Sequence, residues 1–220
     1  MPGMEFADRR DAGRLLAAQL EPLAAAAPLV VALPRGGVPV AFEVARALRA
    51  PLEILAVRKL GAPRNPEFAV GAIAEDGTAI VDALNARRTA VNDELLDAMI
   101  ARERAELERR VARYRRGAAP LDVRGRTVIV VDDGVATGLT DLAAVHALRG
   151  RGAARIVVAV PVGARESLAL LEQAADEVVC LSVPDQLVGV GRWYRDFEAV
   201  GDDEVIALLD AARRPPTGAA

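Results

Sequence analysis

The sequence predicts an α/β protein: an open, mostly parallel sheet with helices on both faces. Short continuous apolar runs such as LVVAL (29–33), TVIVVDD (127–133) and ARIVVAVPV (154–162) carry the first signal. Runs of that kind between turn residues read as strands buried on both faces. Segments with helical spacing alternate with these runs, which is the pattern of parallel strands joined by crossover helices. The length, 220 residues with 52% hydrophobic content, is enough to bury a full core without disulfide staples.

The elements follow in order. Residues 7–25 place Ala12, Leu15, Leu16, Leu20 and Leu23 at helical spacing, and Pro28 ends the pattern before the strand LVVAL. LPRGG turns the chain, and VPVAFEVARAL (38–48) reads as a helix with an early Pro39. LEILAV (52–57) is a second strand, and the basic, Pro-bearing RKLGAPRNPE (58–67) reads as an irregular loop. Asp76-Gly77 between two apolar runs predicts a hairpin over 68–81. A long charged helix is expected over 91–117, with Leu95, Leu96, Met99, Ile100, Leu107, Val111 and Tyr114 on one side. Asp93 and Glu94 near its start and arginines at its end suit the helix dipole. Acids are interleaved with those arginines and no aromatic platform accompanies them, so they form a solvated face rather than a nucleic-acid patch. The α/β rhythm then returns with a helix over 139–152, a helix over 164–175 and a strand over 176–184. A Gly-rich loop (185–201) carries Trp193, Tyr194 and Phe197. A last helix starts with Asp202 as its cap, and PPTGAA (215–220) is a loose tail. Residues 1–214 are expected to form one domain, without internal repeats.

Composition narrows the function. A net charge of −3 argues against a protein that grips nucleic acid or an anionic membrane, while leaving room for a local basic pocket. The single cysteine, Cys180, lies in the apolar run EVVCLSV, and the single histidine, His146, lies in a helical segment. Together they give no disulfide, no zinc set and no Cys–His catalytic pair. MPGMEFADRR lacks the apolar core of a signal peptide. The most apolar early stretch is broken by Gln19, Glu21, Pro22 and Pro28, so it does not read as a membrane span. A cytoplasmic protein is expected.

The chemistry sits in VIVVDDGVATGLTD (128–141). In an open parallel sheet, ligands bind beyond the carboxyl ends of the strands, where Asp132 and Asp133 stand. Gly134 to Gly138 lead into a helix starting near Leu139, whose free N–H groups and dipole make an anion site. Thr137 and Thr140 add hydroxyl donors, and Gly138 permits close approach or positive φ. The two acids suit sugar hydroxyls or a hydrated divalent cation beside the anion. A phosphate, a diol and a metal describe a ribose 5-phosphate. The lysine of a Walker loop and the spacing of a dinucleotide fingerprint are both missing.

With these residues in view, VIVVDDGVATGLT resembles the 5-phosphoribosyl 1-pyrophosphate (PRPP) signature of the type I phosphoribosyltransferase family, and the resemblance runs from about 29 to 200. It implies that Asp132 and Asp133 hold the ribose 2′ and 3′ hydroxyls, support an oxocarbenium-like transition state, and meet Mg²⁺ through water or the PRPP hydroxyls. Gly134, Val135, Ala136, Thr137, Gly138 and Thr140 would bind the 5-phosphate. LPRGGVPVA (33–41) stands where the family places its pyrophosphate loop, which assigns Arg35, Gly36 and Gly37 to that group. Arg58 and Lys59 resemble the start of the mobile loop that closes over pyrophosphate. Residues 58–120, a β-hairpin with a long helix, would be a flexible insert serving as a lid or as the contact of a homodimer. Residues 183–202 would form a small hood. There Arg195 would meet pyrophosphate, and Trp193 or Tyr194 would stack on a base or pack the hood onto the core. Hypoxanthine-guanine enzymes carry an acid at the position of Ala136, where the alanine is instead similar to adenine- and uracil-type signatures. The hood, by contrast, is faintly of the hypoxanthine-guanine type. The acceptor base is therefore not named. The implied activity is transfer of the phosphoribosyl group from PRPP to a nitrogenous base in nucleotide salvage, with Mg²⁺. A PRPP sensor without turnover is the alternative, ahead of a hydrolase or isomerase acting on another phosphosugar.

Overall fold

A computed structural model of the chain describes residues 5–120 and 122–214. Helix α1 (Arg9–Leu20) and a 3₁₀ turn (Glu21–Ala26) precede β1 (Leu29–Ala32). Helix α2 (Gly37–Leu48) leads to β2 (Leu52–Ile54). Strands β3 (Val57–Ala62), β4 (Asn65–Ala74) and β5 (Ala79–Val81) come next, then α3 (Ala83–Arg88) and α4 (Asp93–Arg115). The second half runs β6 (Thr127–Val131), α5 (Leu139–Gly150), β7 (Arg155–Val162), α6 (Arg165–Ala174) and β8 (Glu177–Ser182). A 3₁₀ turn (Val190–Trp193) and α7 (Asp202–Arg213) complete it. Among the described residues no helix is long and apolar enough to cross a membrane.

The central sheet has five strands in the order β2-β1-β6-β7-β8, all parallel. Successive residues of β6 face opposite layers. Ile129 and Val131 join Leu16, Val44 and Leu208 on one side, while Val128 and Val130 join Leu148, Leu168 and Leu171 on the other. That two-sided burial is why the strand reads as one unbroken apolar run. Strand order reverses between β1, which sends the chain to one edge, and β6, which sends it to the other. The carboxyl ends of these two strands therefore flank the crevice of the sheet.

A second sheet, antiparallel in the order β3-β4-β5, occupies the segment between β2 and β6. The hairpin expected over 68–81 is present. Gly77 adopts φ +90° at its tip and donates to the Ala74 carbonyl at 2.9 Å. The loop expected over 58–67 is not. Those residues form β3 and the start of β4, paired Val57↔Ala74 and Lys59↔Ala72. Basic residues and prolines hid a strand because the register breaks on both sides of Gly61, where the chain accommodates Pro66 and its missing donor. LEILAV divides likewise: β2 stops at Ile54 and Val57 opens β3.

The long helix is present as α4, capped by Asn92, whose side chain accepts from the Leu95 amide at 2.9 Å. Asp202 is not the cap of α7. The cap position falls on Gly201, and the Asp202 carboxylate accepts instead from the Tyr114 hydroxyl at 2.7 Å and from Arg113 at 2.6 Å. The tail 215–220 lies outside the described residues.

One buried ionic cluster ties α4 to the central sheet. Arg115, 6% exposed, donates to Glu75 at 2.7 Å, to the Ile54 carbonyl at 3.0 Å and to Glu53 of β2 at 3.4 Å. Removing the guanidinium takes from Glu53 and Glu75 the cation that they share, with Arg151 at 3.9 Å still facing Glu75. Arg115→Met is expected to lower the unfolding free energy by about 3–5 kcal/mol in urea titrations, with an added Glu75→Gln recovering part of the loss.

Candidate functional site

Strand β6 ends at Val131, so Asp132 and Asp133 emerge at the carboxyl edge beside the turn that follows β1. Contact there is tight enough to require glycine. A Cβ on Gly36 would overlap the Asp133 carboxylate, and one on Gly37 would lie 2.6 Å from the Val131 carbonyl and 2.9 Å from Asp132 Cα. The Leu33 amide donates to the same Val131 carbonyl at 3.0 Å, which aligns the two segments.

The Asp133 amide donates to Asp132 Oδ1 at 2.8 Å. Asp133 Oδ2 accepts from Arg9 Nε at 2.8 Å, and the Asp133 carbonyl accepts from the Tyr194 hydroxyl at 2.6 Å. Arg9 also donates to the Glu198 carbonyl at 2.8 Å, and its guanidinium lies 3.7 Å from the Phe197 ring centre. Burial pushes Asp132 well above the usual carboxylate range, and the neighbouring charges of Asp133 and Asp141 add to it. Burial also raises Asp133, against the opposing pull of Arg9. The two acids thus differ, since Asp133 alone holds a cation at ion-pair distance.

The loop after the acids is pinned from below. Val135 donates to the Val162 carbonyl at 2.9 Å, its own carbonyl accepts from the Ala164 amide at 2.9 Å, and the Ser167 hydroxyl donates to the Ala136 carbonyl at 2.7 Å. Gly134 packs so closely on Val190 that a Cβ would lie 2.6 Å from it. Ala136 and Thr137 are exposed, and Thr140 is half-buried. Gly138, with φ +74°, precedes α5 and supplies no side-chain cap. No side chain at the cap position therefore competes with an anion for the start of α5, although the Asp141 amide is engaged by its own carboxylate.

The structure brings Asp132, Asp133, Gly134 to Gly138, Thr140, Gly36 and Gly37 to one crevice. The basic side chains are engaged elsewhere. Arg35 turns toward Asp202, with Nη1 at 3.8 Å from the carboxylate. Tyr114 beside it has its hydroxyl pushed up to about 12, chiefly by burial and then by its bond to Asp202, so it remains a donor. Arg58 lies in β3, paired with Glu103 of α4 at 2.6 Å. Together with Lys59 it lines a cavity of about 620 Å³ whose walls also include Leu95, Met99 and Arg110. The two residues expected at the start of an irregular loop are therefore part of a paired strand.

In the hood, Arg195 is exposed and its amide donates to the Phe6 carbonyl at 2.9 Å. Trp193 is half-buried against the cluster of Phe6, Ala12 and Val162. Tyr194 does not offer a free ring to a base. It is 5% exposed, and its ring packs at 5.3 Å from Phe6 and 5.0 Å from Phe197. The β-bridge between Phe6 and Tyr194 draws the ring inward, and sequence alone does not show that pairing. Among the described residues no group of three or more His, Cys, Asp or Glu side chains could hold a metal ion. Asp132 and Asp133 are the carboxylates at the crevice.

Two members of the site carry no signal in the motif. Arg9 arrives from the opposite end of the chain. Asp141 lies within the motif but reads as an ordinary first-turn acid of a helix. It is 1% exposed, and its Oδ1 has no hydrogen-bond partner among the described residues. Burial pushes it up to about 7, and the Asp133 charge adds to the rise.

The chain matches the family model described as the phosphoribosyl transferase domain over residues 8–194. It is 48% identical over 209 residues to two Mycobacterium tuberculosis proteins, from strains CDC 1551 and H37Rv, that are named only provisionally as phosphoribosyl transferases. The match takes in 95% of this chain and 47% of each relative, so the chain spans about half their length. The crystal structure of TT1426 from Thermus thermophilus is similar with a TM-score of 0.79 and 47% identity, over 94% of this chain and 98% of that one. The AQ2163 protein of Aquifex aeolicus shares the fold at 11% identity, with a TM-score of 0.51 over 83% of this chain and 78% of its own.

The Asp141 carboxyl gives a pH signature. Its folded-state pKa, about 7, lies above the value of 3.8 expected for an unfolded aspartate. Between those values the folded chain binds a proton that the unfolded chain does not, so stability falls as pH rises from about 4 to about 7. Asp141→Asn removes that slope. The variant is expected to gain about 1–3 kcal/mol over the parent at pH 8 relative to pH 4 in urea titrations at both pH values.

Proposed function

The chain belongs to the phosphoribosyl transferase domain family, and on that premise we propose that it transfers the 5-phosphoribosyl group of PRPP to a nitrogenous base, with release of pyrophosphate. The observation that carries this reading is the shared crevice, where a pair of acids, an uncapped helix-start loop and a bare glycine turn meet at the reversal of strand order. These parts match the three chemical groups of the donor. The loop from Gly134 to Thr140 takes the 5-phosphate, the acids take the ribose diol, and Gly36 and Gly37 give the pyrophosphate close access to backbone amides.

Transfer breaks the bond between C1 of the ribose and the pyrophosphate oxygen, and the electron pair leaves with pyrophosphate. The cationic sugar that develops is stabilised by the ionised carboxylate of Asp133, with Asp132 beside it. A lone pair on the acceptor nitrogen then forms the new bond at C1, and the nitrogen's proton passes to solvent. The crevice offers two carboxylates rather than a closed cage, which fits Mg²⁺ carried in on the donor and held at Asp132 and Asp133 through water or the sugar hydroxyls. When bound, the ion neutralises charge on the leaving pyrophosphate. Arg35 and Arg58 serve the same end once they exchange Asp202 and Glu103 for the ligand, together with Lys59 and the exposed Arg195. Trp193 is the aromatic left to face a base. The hood, about 183–202, and the insert, about 58–120, are read as covers of the crevice in a cytoplasmic salvage enzyme, with the insert also able to pair two copies.

A PRPP-binding protein without turnover is the second reading. It needs only the loop and the acids, and Ala136, which offers no acid to an acceptor nitrogen, fits either reading. Pyrophosphate release from Mg-PRPP, measured against a panel of purine and pyrimidine bases, decides between them. Release with one base supports transfer. A PRPP-dependent thermal shift without release supports the sensor, and the absence of both sinks the PRPP reading. Changing Asp132 and Asp133 together to Asn is expected to abolish release while the far-ultraviolet circular dichroism stays that of the parent; full activity in that variant rules out the acids' role. Thr137→Val is expected to weaken PRPP binding by about 1–3 kcal/mol in calorimetry, and an unchanged affinity places the 5-phosphate elsewhere.

A further inference from the structure

Arg9 is held on several sides at once. Its side chain is 11% exposed, Nε meets Asp133 Oδ2 at 2.8 Å, and a terminal nitrogen meets the Glu198 carbonyl at 2.8 Å. The guanidinium plane rests on Phe197 at 3.7 Å from the ring centre. Its own backbone is fixed as well. Asp8 caps α1 by accepting from the Asp11 amide at 2.7 Å, and the Asp11 carboxylate accepts from the Ala7 amide at 3.1 Å. This reciprocal cap sets the first turn of α1, in which Arg9 is the first residue. The segment just before it is stitched to the hood: Phe6 donates to the Trp193 carbonyl at 2.8 Å, and the Asp196 amide donates to the Ala7 carbonyl at 3.0 Å.

An arginine fixed this way does more than neutralise its partner. It occupies Oδ2 of Asp133, the oxygen that also faces Gly36, and so leaves Oδ1 as the oxygen that the guanidinium does not hold. A planar fork with fixed donors imposes an orientation that a point charge does not. Gly36 keeps the occupied oxygen's side clear, since any side chain there would collide with it. The rotamer of Asp133 is thereby decided by a residue from the start of the chain and by the hood stacked on that residue.

We propose that Arg9 is a positioning residue for the sugar-binding acid. It orients the Asp133 carboxylate toward the ribose diol and links that orientation to the hood through Phe197 and the Glu198 carbonyl. This rests on the reading that the crevice binds a phosphorylated ribose. It goes beyond that reading by adding a residue outside the motif, and it makes a specific claim: Arg9 acts on the sugar and not on the phosphate.

Calorimetry with three probes tests it, namely Mg-PRPP, ribose 5-phosphate and inorganic phosphate. Arg9→Met is expected to weaken Mg-PRPP and ribose 5-phosphate by roughly 10- to 100-fold, as a misplaced binding group does, and to leave inorganic phosphate within about 2-fold. Arg9→Lys keeps the charge without the fork and is expected to recover part of the loss. In an Asp133→Asn background Arg9→Met is expected to cost little more, because the two residues act as one unit. The proposal is overturned by sugar affinities that stay at the parent's level, by an equal loss for inorganic phosphate, or by a loss that simply adds to that of Asp133→Asn. Should Arg9→Met fail to fold, Arg9→Lys with the same cycle carries the test. A parent chain that binds ribose 5-phosphate but not Mg-PRPP sinks the PRPP reading alone, and Arg9 is then judged on ribose 5-phosphate. A parent that binds neither overturns both.

Discussion

Two carboxylates on consecutive residues at the end of a buried strand are an expensive arrangement. Each loses hydration, and the charge of Asp133 adds to the rise of Asp132, so both are driven toward the neutral form. Neutral acids would be poor partners for a developing sugar cation. Much of the surrounding structure answers this problem. Arg9 brings a cation to Asp133, and the Tyr194 hydroxyl fixes its carbonyl. Gly36 and Gly37 let the neighbouring turn come close without adding a side chain that would exclude a ligand. Asp141 works the other way, because its charge adds to the rise of Asp132. The cost is met by contacts from α1, the hood and the turn after β1, and so these distant segments are tied to the end of β6.

That dependence explains what could be read in the sequence. The two-faced burial of β1, β6 and β7 leaves an unbroken apolar run in each, so the central sheet was legible from the pattern of apolar residues alone. The motif from Val128 to Asp141 was legible because its residues are consecutive and their chemistry is local. The turn at Asp76-Gly77 declared itself through the positive φ that Gly77 supplies. Interactions between distant segments left no comparable trace. Arg9 and Asp133 are 124 residues apart, and nothing in DRRDAG marks its arginine as part of a site. The residues around Pro63 and Pro66 were misread for a different reason: proline argues against strand locally, and only pairing with β4 across an irregular register outweighs it. Asp202 stood where a helix cap belongs, and Tyr114 and Arg113 drew its carboxylate away from that duty.

The insert is more firmly built than a mobile loop would be. Strands β3, β4 and β5 form their own sheet, and α4 buries Leu107, Tyr114 and Arg115 against the main body. Arg115 reaches the edge strand β2 through Glu53, and Glu75 of the hairpin shares the same guanidinium. One cation thus joins sheet, hairpin and long helix. The half of α4 that carries these anchors is fixed. The half nearer Asn92 packs Leu96, Met99 and Ile100 against the main core and adds the partly exposed Arg58–Glu103 pair.

The charged residues fall into two groups. Arg35 and Arg58 each rest against an acid, Asp202 in one case and Glu103 in the other. Such pairs keep cations in place without a ligand, and because both are partly exposed they cost little to exchange for a more highly charged partner. Tyr114 and Arg113 hold Asp202 when Arg35 leaves, so the acid is not stranded by the exchange. The acids at the end of β6 are the opposite case: they are largely enclosed, and Arg9 holds Asp133 directly. The loop from Gly134 to Gly138 is equally fixed, pinned by Val162, Ala164 and Ser167 from below. The crevice therefore combines a preorganised part with an exchangeable part; under the proposed function the first would seat the sugar and its 5-phosphate and the second would adapt to the group that leaves. A transfer reaction needs this combination, because the sugar must stay in place while pyrophosphate comes and goes.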